Sequence, residues 1–472
     1  MILNGDEEYS FWTPFVPELN EFYGREACSR WNAARVGADG LGIITKITCE
    51  SLTIHALSNR KLMAKIFETF GMVAEPSLPG RVASRVIQQM DDVQGCRVFK
   101  IAGVRQLLEK YGALDSFTRT EATGMIGQRD PQTGRPNFAS YEDLYIEPRD
   151  AAKLTPEDVL NYLLKQGVFR VGLNLKCTRC ELVSWKHIDD VATKTTCEFC
   201  GADFDITPQL RDRDWAYRRS GVFGREDKQQ GSVPVVLTLQ QLDTVLQRRP
   251  CILTTGLEIK PTSATVSPCE ADFVLLTQDY RSDDLKLDLA LGECKSGGGT
   301  ITEDDVAKLS RVADAFSNER IRPYLIFAKT GSFTPEEVDR CRTGQDGLRR
   351  RVILLSDREL EPYSVYERTE KEFNIRGTAI SLEDMAETTH DVYFVPKPLG
   401  EATTPGIVAT QAHVEPSPGT AMAEPTSLYA QTPIQELKRI YFEHNSESGR
   451  NSRPENQCQC AACREYRAKA SL

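Results

Sequence analysis

The chain lacks any apolar run approaching the ~18 residues of a membrane span, and its start, Met1-Ile-Leu-Asn-Gly-Asp-Glu-Glu8, has neither a basic n-region nor an apolar h-region. A membrane anchor and a secretory leader are therefore not expected, and the reading is a cytoplasmic protein. An excess of positive charge is also missing. The net charge of −10 over 472 residues argues against a chain coated in basic residues, although a local basic groove can bind nucleic acid inside an acidic whole. No internal repeat occurs, so a solenoid is not indicated. At this length one core does not suffice, and two to four domains are expected.

Cysteine, in contrast, is present fourteen times. In a short secreted chain that would mean disulfides, but in a long cytosolic one paired spacing points to metal. Cys177-Thr-Arg-Cys180 and Cys197-Glu-Phe-Cys200 are two such pairs, sixteen residues apart. Each Cys-x-x-Cys forms a tight knuckle, and a hairpin carrying Trp185, Ile188 and Val191 can bring the two knuckles to one tetrahedral ion. Gly201 after the last Cys permits the turn. The segment resembles a zinc ribbon. Four thiolates close the coordination sphere, so the zinc is expected to be structural, and His187 is not needed as a ligand. A role in bracing the fold and a role in nucleic-acid contact both remain open. The tail offers Cys458, Cys460 and Cys463, with His444 as a distant fourth ligand, and reads equally as a second metal site or as incidental thiols.

The other concentration of chemistry is acidic. Cys269-Glu270-Ala-Asp272-Phe-Val-Leu-Leu276 and Leu289-Ala-Leu-Gly-Glu293-Cys-Lys295 both read as buried strands with charges at their ends, and twenty residues separate Asp272 from Glu293. Burying charge costs several kcal/mol unless it is paired or coordinates a metal. Residues two apart on a strand share a face, so Glu293 projects with Lys295 and Glu270 with Asp272. Mg2+ takes hard oxygen ligands of this kind. Glu258-Ile-Lys260 and Asp284-Leu-Lys286 repeat the short pattern, but only Glu293-x-Lys295 has a buried strand before it, a helix capped by Thr302 and Asp305 after it, and an Asp upstream.

This arrangement resembles the PD-(D/E)xK superfamily, the restriction-endonuclease-like fold, over roughly residues 209–397. The resemblance implies a helix, three strands in a meander, a helix and a further strand. The chain offers these in order: an apolar helix from Ser232-Val-Pro234, strands near Cys251–Leu257, Ala271–Leu276 and Leu287–Cys294, a helix with the stripe Val306, Leu309, Val312 and Phe316, and strands at Pro323–Ala328 and Arg351–Leu355. The fold class expected is α/β, a restriction-endonuclease-like mixed sheet flanked by helices, with a small four-cysteine zinc ribbon and a mainly helical N-terminal region. By the same resemblance Asp272 and Glu293 would hold Mg2+, which Mn2+ can replace, and Lys295 would lower the pKa of the attacking water or stabilise the transition state. Many members add a carboxylate or Gln from the first helix. Here Glu226, Gln229 and Gln230 precede it, and Gln230 is closest. The Gly-rich stretch Ser296–Thr300 leaves room for a phosphate backbone.

Upstream, residues 211–225 put five Arg and three aromatics into fifteen residues. Arg211, Arg213, Arg218, Arg219 and Arg225 can clamp phosphates and Trp215 can stack on unpaired bases; a charged linker is the competing reading. Two amphipathic helices between about 80 and 112 fit a helix-turn-helix or a small packing domain. The domain plan is thus 1–75 of unassigned role, 76–168 helical, 169–208 zinc ribbon, 209–397 nuclease-like, 398–432 a Pro/Ala/Thr/Ser linker, and 433–472 a helix with the Cys-bearing tail. The function expected is a Mg2+-dependent endonuclease acting on nucleic acid, DNA before RNA, with restriction or anti-phage defence as the family-level association. A protein partner or homo-oligomer is compatible with it. The alternative is a non-catalytic zinc-ribbon binding or adaptor protein on the same scaffold.

Overall fold

The computed structural model describes residues 9–13, 34–37, 40–45, 58–127, 138–148, 153–211, 214–225, 231–246, 251–262, 268–278, 286–316, 321–347, 349–360, 364–373 and 379–395. The chain divides into two units, Met1–Lys397 and Pro398–Leu472, and the second contains no described residue. The linker at 398–432, the C-terminal helix, His444 and Cys458, Cys460 and Cys463 therefore lie outside the described residues. So do Arg213, Glu226, Gln229 and Gln230.

Strands β1 (Tyr9–Thr13), β2 (Ala34–Gly37) and β3 (Gly40–Thr45) form a small antiparallel sheet in the order β1-β3-β2. Helix α1 (Asn59–Thr69) leads to strand β4 (Met72–Pro76). Helix α2 (Leu78–Gln89) starts on the cap of Ser77, whose hydroxyl accepts the Gly80 N–H, and helix α3 (Ala102–Lys110) follows. Of the apolar positions expected along these two helices, Val86, Met90, Val104, Leu107 and Leu108 are buried, while Val82, Ile87 and Tyr111 are half-buried. Strand β5 (Ser116–Thr118), helix α4 (Arg119–Gly127) and helix α5 (Pro156–Lys165) come next. Thr155 and Asp158 close a capping box on α5 with Pro156 at its first position.

The knuckles sit on strands β6 (Phe169–Lys176), β7 (Val183–His187), β8 (Lys194–Thr196) and β9 (Asp203–Asp205), after which come the short helix α6 (Thr207–Leu210) and strand β10 (Ala216–Arg219). Strands β6 and β7 belong to a four-stranded sheet ordered β5-β10-β6-β7, and β8 pairs with β9.

Then follow α7 (Ser232–Leu246), β11 (Cys251–Pro261), β12 (Cys269–Gln278), β13 (Leu287–Lys295), α8 (Glu303–Phe316), β14 (Ile321–Lys329), α9 (Pro335–Thr343) and β15 (Arg351–Leu355). Short helices α10 (Asp357–Leu360), α11 (Glu367–Phe373) and α12 (Leu382–Thr389) follow, and a π-helical turn, His390–Phe394, closes the described chain. The main sheet is six-stranded and mixed, ordered β15-β14-β13-β12-β11-β4. Its strands run antiparallel from β4 to β13 and parallel from β13 to β15. Parallel neighbours need a crossover, which α8 and α9 supply. The protein is thus α/β, with helices on both faces of a mixed sheet.

Period-two alternation sorts the sheet into two cores. Ala290, Tyr324, Ile326 and Ile353 pack under α7 with Val235, Val236, Leu239 and Leu242. Leu289, Leu291, Leu325 and Leu354 pack under α8 with Val306, Leu309, Val312 and Phe316. Helix α7 is buried along nearly its whole length, because α2 covers the side turned from the sheet. The N-terminal region does more than flank this sheet. Strand β4 is its edge strand, pairing Glu75 with Glu258 of β11, and α2 lies so close to β11 that a Cβ on Gly80 would stand 2.1 Å from the Gly256 carbonyl oxygen. Among the described residues no helix is long and apolar enough to cross a membrane.

Candidate active site and metal centre

The acidic site forms where β12 and β13 part. Their ladder ends at the pair Phe273 and Gly292, and the next residues along are Asp272 and Glu293. Gly292 is required there because a Cβ would sit 2.0 Å from Cε1 of Phe273, whose ring crosses the strand. The Asp272 carboxylate accepts the backbone N–H of Cys294 at 2.7 Å, which holds it beside Glu293. On the opposite face Cys294 is buried, its thiol 3.6 Å from the Thr238 hydroxyl of α7.

Glu293 and Lys295 share the face turned to α8, and the Lys295 ammonium donates to Glu293 Oε1 at 2.5 Å. The same ammonium stands 3.5 Å from Asp305 Oδ2 in the first turn of α8. Asp305 itself is held by the cap, accepting the Thr302 N–H at 2.8 Å. The sequence marks Asp305 only as a capping residue; the crossing of α8 over β13 is what brings it to the site. Its signal was present, since the capped helix follows Lys295 within a few residues, but the strand–loop–helix geometry was needed to read it.

Glu293 side-chain exposure is only 12%, and the electrostatics follow from that. Burial raises the Glu293 carboxyl to about 8, with the Asp272 charge pushing the same way and Lys295 opposing. Burial likewise raises Asp272 to about 6, against the pull of the Cys294 N–H and Lys295. Asp272 and Glu293 are thus two neighbouring carboxyls that resist ionising, with the Lys295 ammonium between Glu293 and Asp305, and their hard oxygens are the donors that could hold a divalent cation here. Glu270 is exposed, and its charge also raises Asp272. It pairs across the ladder with Glu258 of β11, which Lys260 reaches at 3.2 Å.

The loop after Lys295 runs beside the one after β14. The Thr330 N–H donates to the Lys295 carbonyl at 3.1 Å, and Gly297 lies against Gly331. Ser296 and Thr330 line a small, mainly apolar pocket with Arg105, Glu109, Arg219, Phe223 and Pro234. The Arg-rich segment is not one patch. Arg211 and Arg225 are exposed, as is Trp215 at 49%. Arg219 donates to the Leu108 carbonyl and lines that pocket, whereas Arg218 lies over the Trp185 ring on the ribbon side.

The four cysteines come together. Their sulfur atoms all lie within 4.8 Å of one another, with Cys177 and Cys200 3.7 Å apart and Cys180 and Cys197 3.6 Å apart. A tetrahedron with Zn–S bonds of about 2.3 Å needs sulfurs about 3.8 Å apart, so the set fits zinc. The two knuckles are built alike. The N–H of Glu181 returns to the Cys177 carbonyl and that of Gly201 to the Cys197 carbonyl, both residues at positive φ, +61° and +68°. Backbone N–H groups from Cys180 and Arg179 favour the Cys177 thiolate and bring it down to about 6. The cluster fits a zinc ribbon. His187 takes no part, its Nδ1 accepting the Asp189 N–H.

No family model matches the chain, and no curated protein does. Among solved structures it is similar to protein VC1899 from Vibrio cholerae at 12% identity, over 63% of this chain and 58% of that one, with a TM-score of 0.29. The chain thus spans under two thirds of that structure, and the likeness is too weak to assign a fold or an activity.

Proposed function

We propose that the chain is a Mg2+-dependent nuclease of the PD-(D/E)xK type that hydrolyses phosphodiester bonds, DNA before RNA, with a structural zinc ribbon attached. The observation that carries this reading is the meeting of Asp272, Glu293 and Lys295 at the open end of β12 and β13, with both carboxyls pushed above their ordinary range. The order α7, β11, β12, β13, α8, β14 supports it, being the restriction-endonuclease-like order of elements. Restriction or anti-phage defence is the setting that such domains suggest.

A divalent cation held by Asp272 and Glu293 would polarise a phosphoryl oxygen and supply hydroxide at neutral pH. The chain's own groups do the rest. The Cys294 N–H fixes one Asp272 oxygen. Lys295, held between Glu293 and Asp305, offers an ammonium to the charge that builds on the scissile phosphate. The Gly297–Gly299 loop admits a phosphate backbone without side chains in the way.

The test is incubation of the full chain with supercoiled plasmid and with single-stranded DNA, in Mg2+, Mn2+ or EDTA, beside Glu293→Ala and Lys295→Ala. Metal-dependent cleavage absent from both variants is the expected result. Cleavage that persists in both, or none under any metal, overturns the reading.

A further inference from the structure

The sheet that carries the first zinc knuckle has two different faces. One buries Phe117, Phe169 and Tyr217 against the helices, with ring centroids of Phe117 5.0 Å from Phe169 and 6.0 Å from Tyr217. The register places Ser116 opposite Arg218, Arg218 opposite Arg170, and Asn174 opposite Trp185, so these five residues share the other, outward face. This face is polar and cationic, with one large aromatic laid across it.

Trp185 lies flat because Gly172 is beneath it. A Cβ on Gly172 would meet Cε2 of the indole at 2.5 Å and the Lys186 carbonyl oxygen at 2.2 Å. The indole N–H reaches across the sheet to the Ala216 carbonyl at 3.1 Å, which fixes the ring. The Arg218 guanidinium stacks over it at 4.9 Å, and its Nε is shut off from solvent with no hydrogen-bond partner. Next to this tier, Lys110 stands over the Tyr111 ring at 5.0 Å. An open cleft runs between them, lined by Lys110, Tyr111, Ser116, Asn174, Trp185 and Arg218. Asn174 and Ser116 hydrogen-bond each other at its floor. The one acid among these lining residues, Asp115, accepts the Gly112 N–H at 2.7 Å; its charge and that of Glu198 still act on Arg218, and Glu121 accepts from Tyr111 at the border. Leu114, 69% exposed, forms the rim.

We propose that this cleft binds a segment of single-stranded nucleic acid, one base stacking on the Arg218–Trp185 tier and Tyr111, and the flanking phosphates meeting Lys110 and Arg218. The proposal rests on nucleic acid being the substrate of the chain, but not on the cleavage chemistry. Unpaired bases stack on aromatic rings and on guanidinium planes alike, whereas a base inside a duplex has both faces covered by its stacked neighbours. Two cations beside two aromatic rings match the alternation of phosphate and base along one strand. Strand β10 links this cleft to the loop after Lys295: successive residues point to opposite faces, so Arg218 serves the cleft while Arg219 lines the small pocket at Ser296. The ribbon sheet thereby becomes a holding surface for the strand, and zinc its brace.

The test is fluorescence anisotropy of a labelled oligo(dT) without added divalent metal or chelator, so that the ribbon keeps its zinc, with full-length protein in a Glu293→Gln background so that nothing is cut. Lys110→Ala combined with Arg218→Ala is expected to raise Kd at least about tenfold and to flatten the plot of log K against log salt by about 1.4, the loss of two phosphate contacts on a single strand. Tyr111→Leu, which keeps the charge, is expected to weaken binding about tenfold with the salt slope unchanged. Zinc content and melting temperature, measured alongside, separate these effects from misfolding. Equal binding by the correctly folded variants overturns the proposal, as does equal affinity for a duplex of the same length or displacement by inorganic polyphosphate as efficient as by oligo(dT). Binding lost in these variants by a chain that never cuts DNA would sink the nuclease reading and leave this one standing. Normal plasmid cleavage with unchanged binding in Lys110→Ala/Arg218→Ala would do the reverse.

Discussion

Cys294 gives its backbone N–H to Asp272 at 2.7 Å, so the strand that presents Glu293 and Lys295 also holds the carboxylate that faces them. The three functional groups are positioned by one register. A slip of one residue between β12 and β13 would turn Glu293 and Lys295 to the α7 side and bury them among Thr238 and Leu242. The acidic site is therefore as firm as the sheet.

The first expectation concerns the ammonium. Lys295→Ala removes the group that offsets burial at Glu293, so cleavage should fall by at least about 10²–10³-fold, the cost of losing one preorganised electrostatic partner. Glu293→Ala should match it. Single-turnover rates with saturating Mg2+ are the measurement, and a variant within about threefold of wild type would remove that residue from the site.

The second concerns pH. In the folded chain Asp272 sits at about 6 and Glu293 at about 8, against ordinary values of 3.8 and 4.5. A raised folded-state pKa means that the folded chain holds more protons than the unfolded one between those values. Stability from these groups is thus greatest at low pH and is lost as pH rises towards about 8. Without divalent metal, melting temperature should drop between about pH 5 and pH 8.5. Glu293→Gln should flatten that drop, and Mg2+ should raise melting temperature more at the high end, because it binds the ionised pair. Mg2+ stabilisation that is equal at both ends would contradict the assignment.

How much of this was legible beforehand follows from range. The Cys-x-x-Cys pairs and the Asp272, Glu293 and Lys295 strands are local patterns, and local patterns can be read. The Met72–Pro76 strand cannot be placed that way: its partner residues, Leu257–Pro261, lie far along the chain, and five residues of alternating burial fit any sheet edge. The Arg-rich segment reads as one basic patch until β10 sends Arg218 and Arg219 to different faces. Asp305 was visible as a cap, and only the packing of α8 gives it a second neighbour in Lys295.

Zinc makes a third expectation. The purified chain should carry about one zinc per molecule, and Cys180→Ser should lose it. A site of this size draws much of its folding free energy from the metal, on the order of 10 kcal/mol in isolated peptides. Chelation should therefore release the β8–β9 hairpin to proteolysis near Cys197, while the main sheet, with its own two cores, keeps its hydrogen-exchange protection. Uniform loss of protection would mean that ribbon and sheet fold as one unit.

A fourth lies behind the Gly-rich loop. Glu337 is fully buried, takes Lys329 at 3.0 and 3.2 Å, and accepts the Ile301 N–H at 3.0 Å, so it ties β14, α9 and the segment entering α8. Glu337→Ala leaves Lys329 buried without a counter-charge and should cost about 3–5 kcal/mol. Replacing both by Met should cost far less. Chemical denaturation of the two variants decides between an ion pair that is needed for its charge and one needed only for its volume.

Asp305 allows structure and catalysis to be separated at one position. Its Oδ2 accepts the Thr302 N–H at 2.8 Å and stands 3.5 Å from the Lys295 ammonium. Asn keeps an oxygen for the cap but removes the charge, so Asp305→Asn should leave stability within about 0.5 kcal/mol. Its effect on rate should be larger. Lys295 would then answer to Glu293 and the Asp272 charge without Asp305, and kcat should fall about tenfold with KM little changed, as for an interaction made in the transition state. Asp305→Ala should add about 1 kcal/mol of instability from the lost cap without a further fall in kcat. If Asp305→Asn turns over at the wild-type rate while Asp305→Ala is merely less stable, Asp305 caps a helix and has no hold on Lys295.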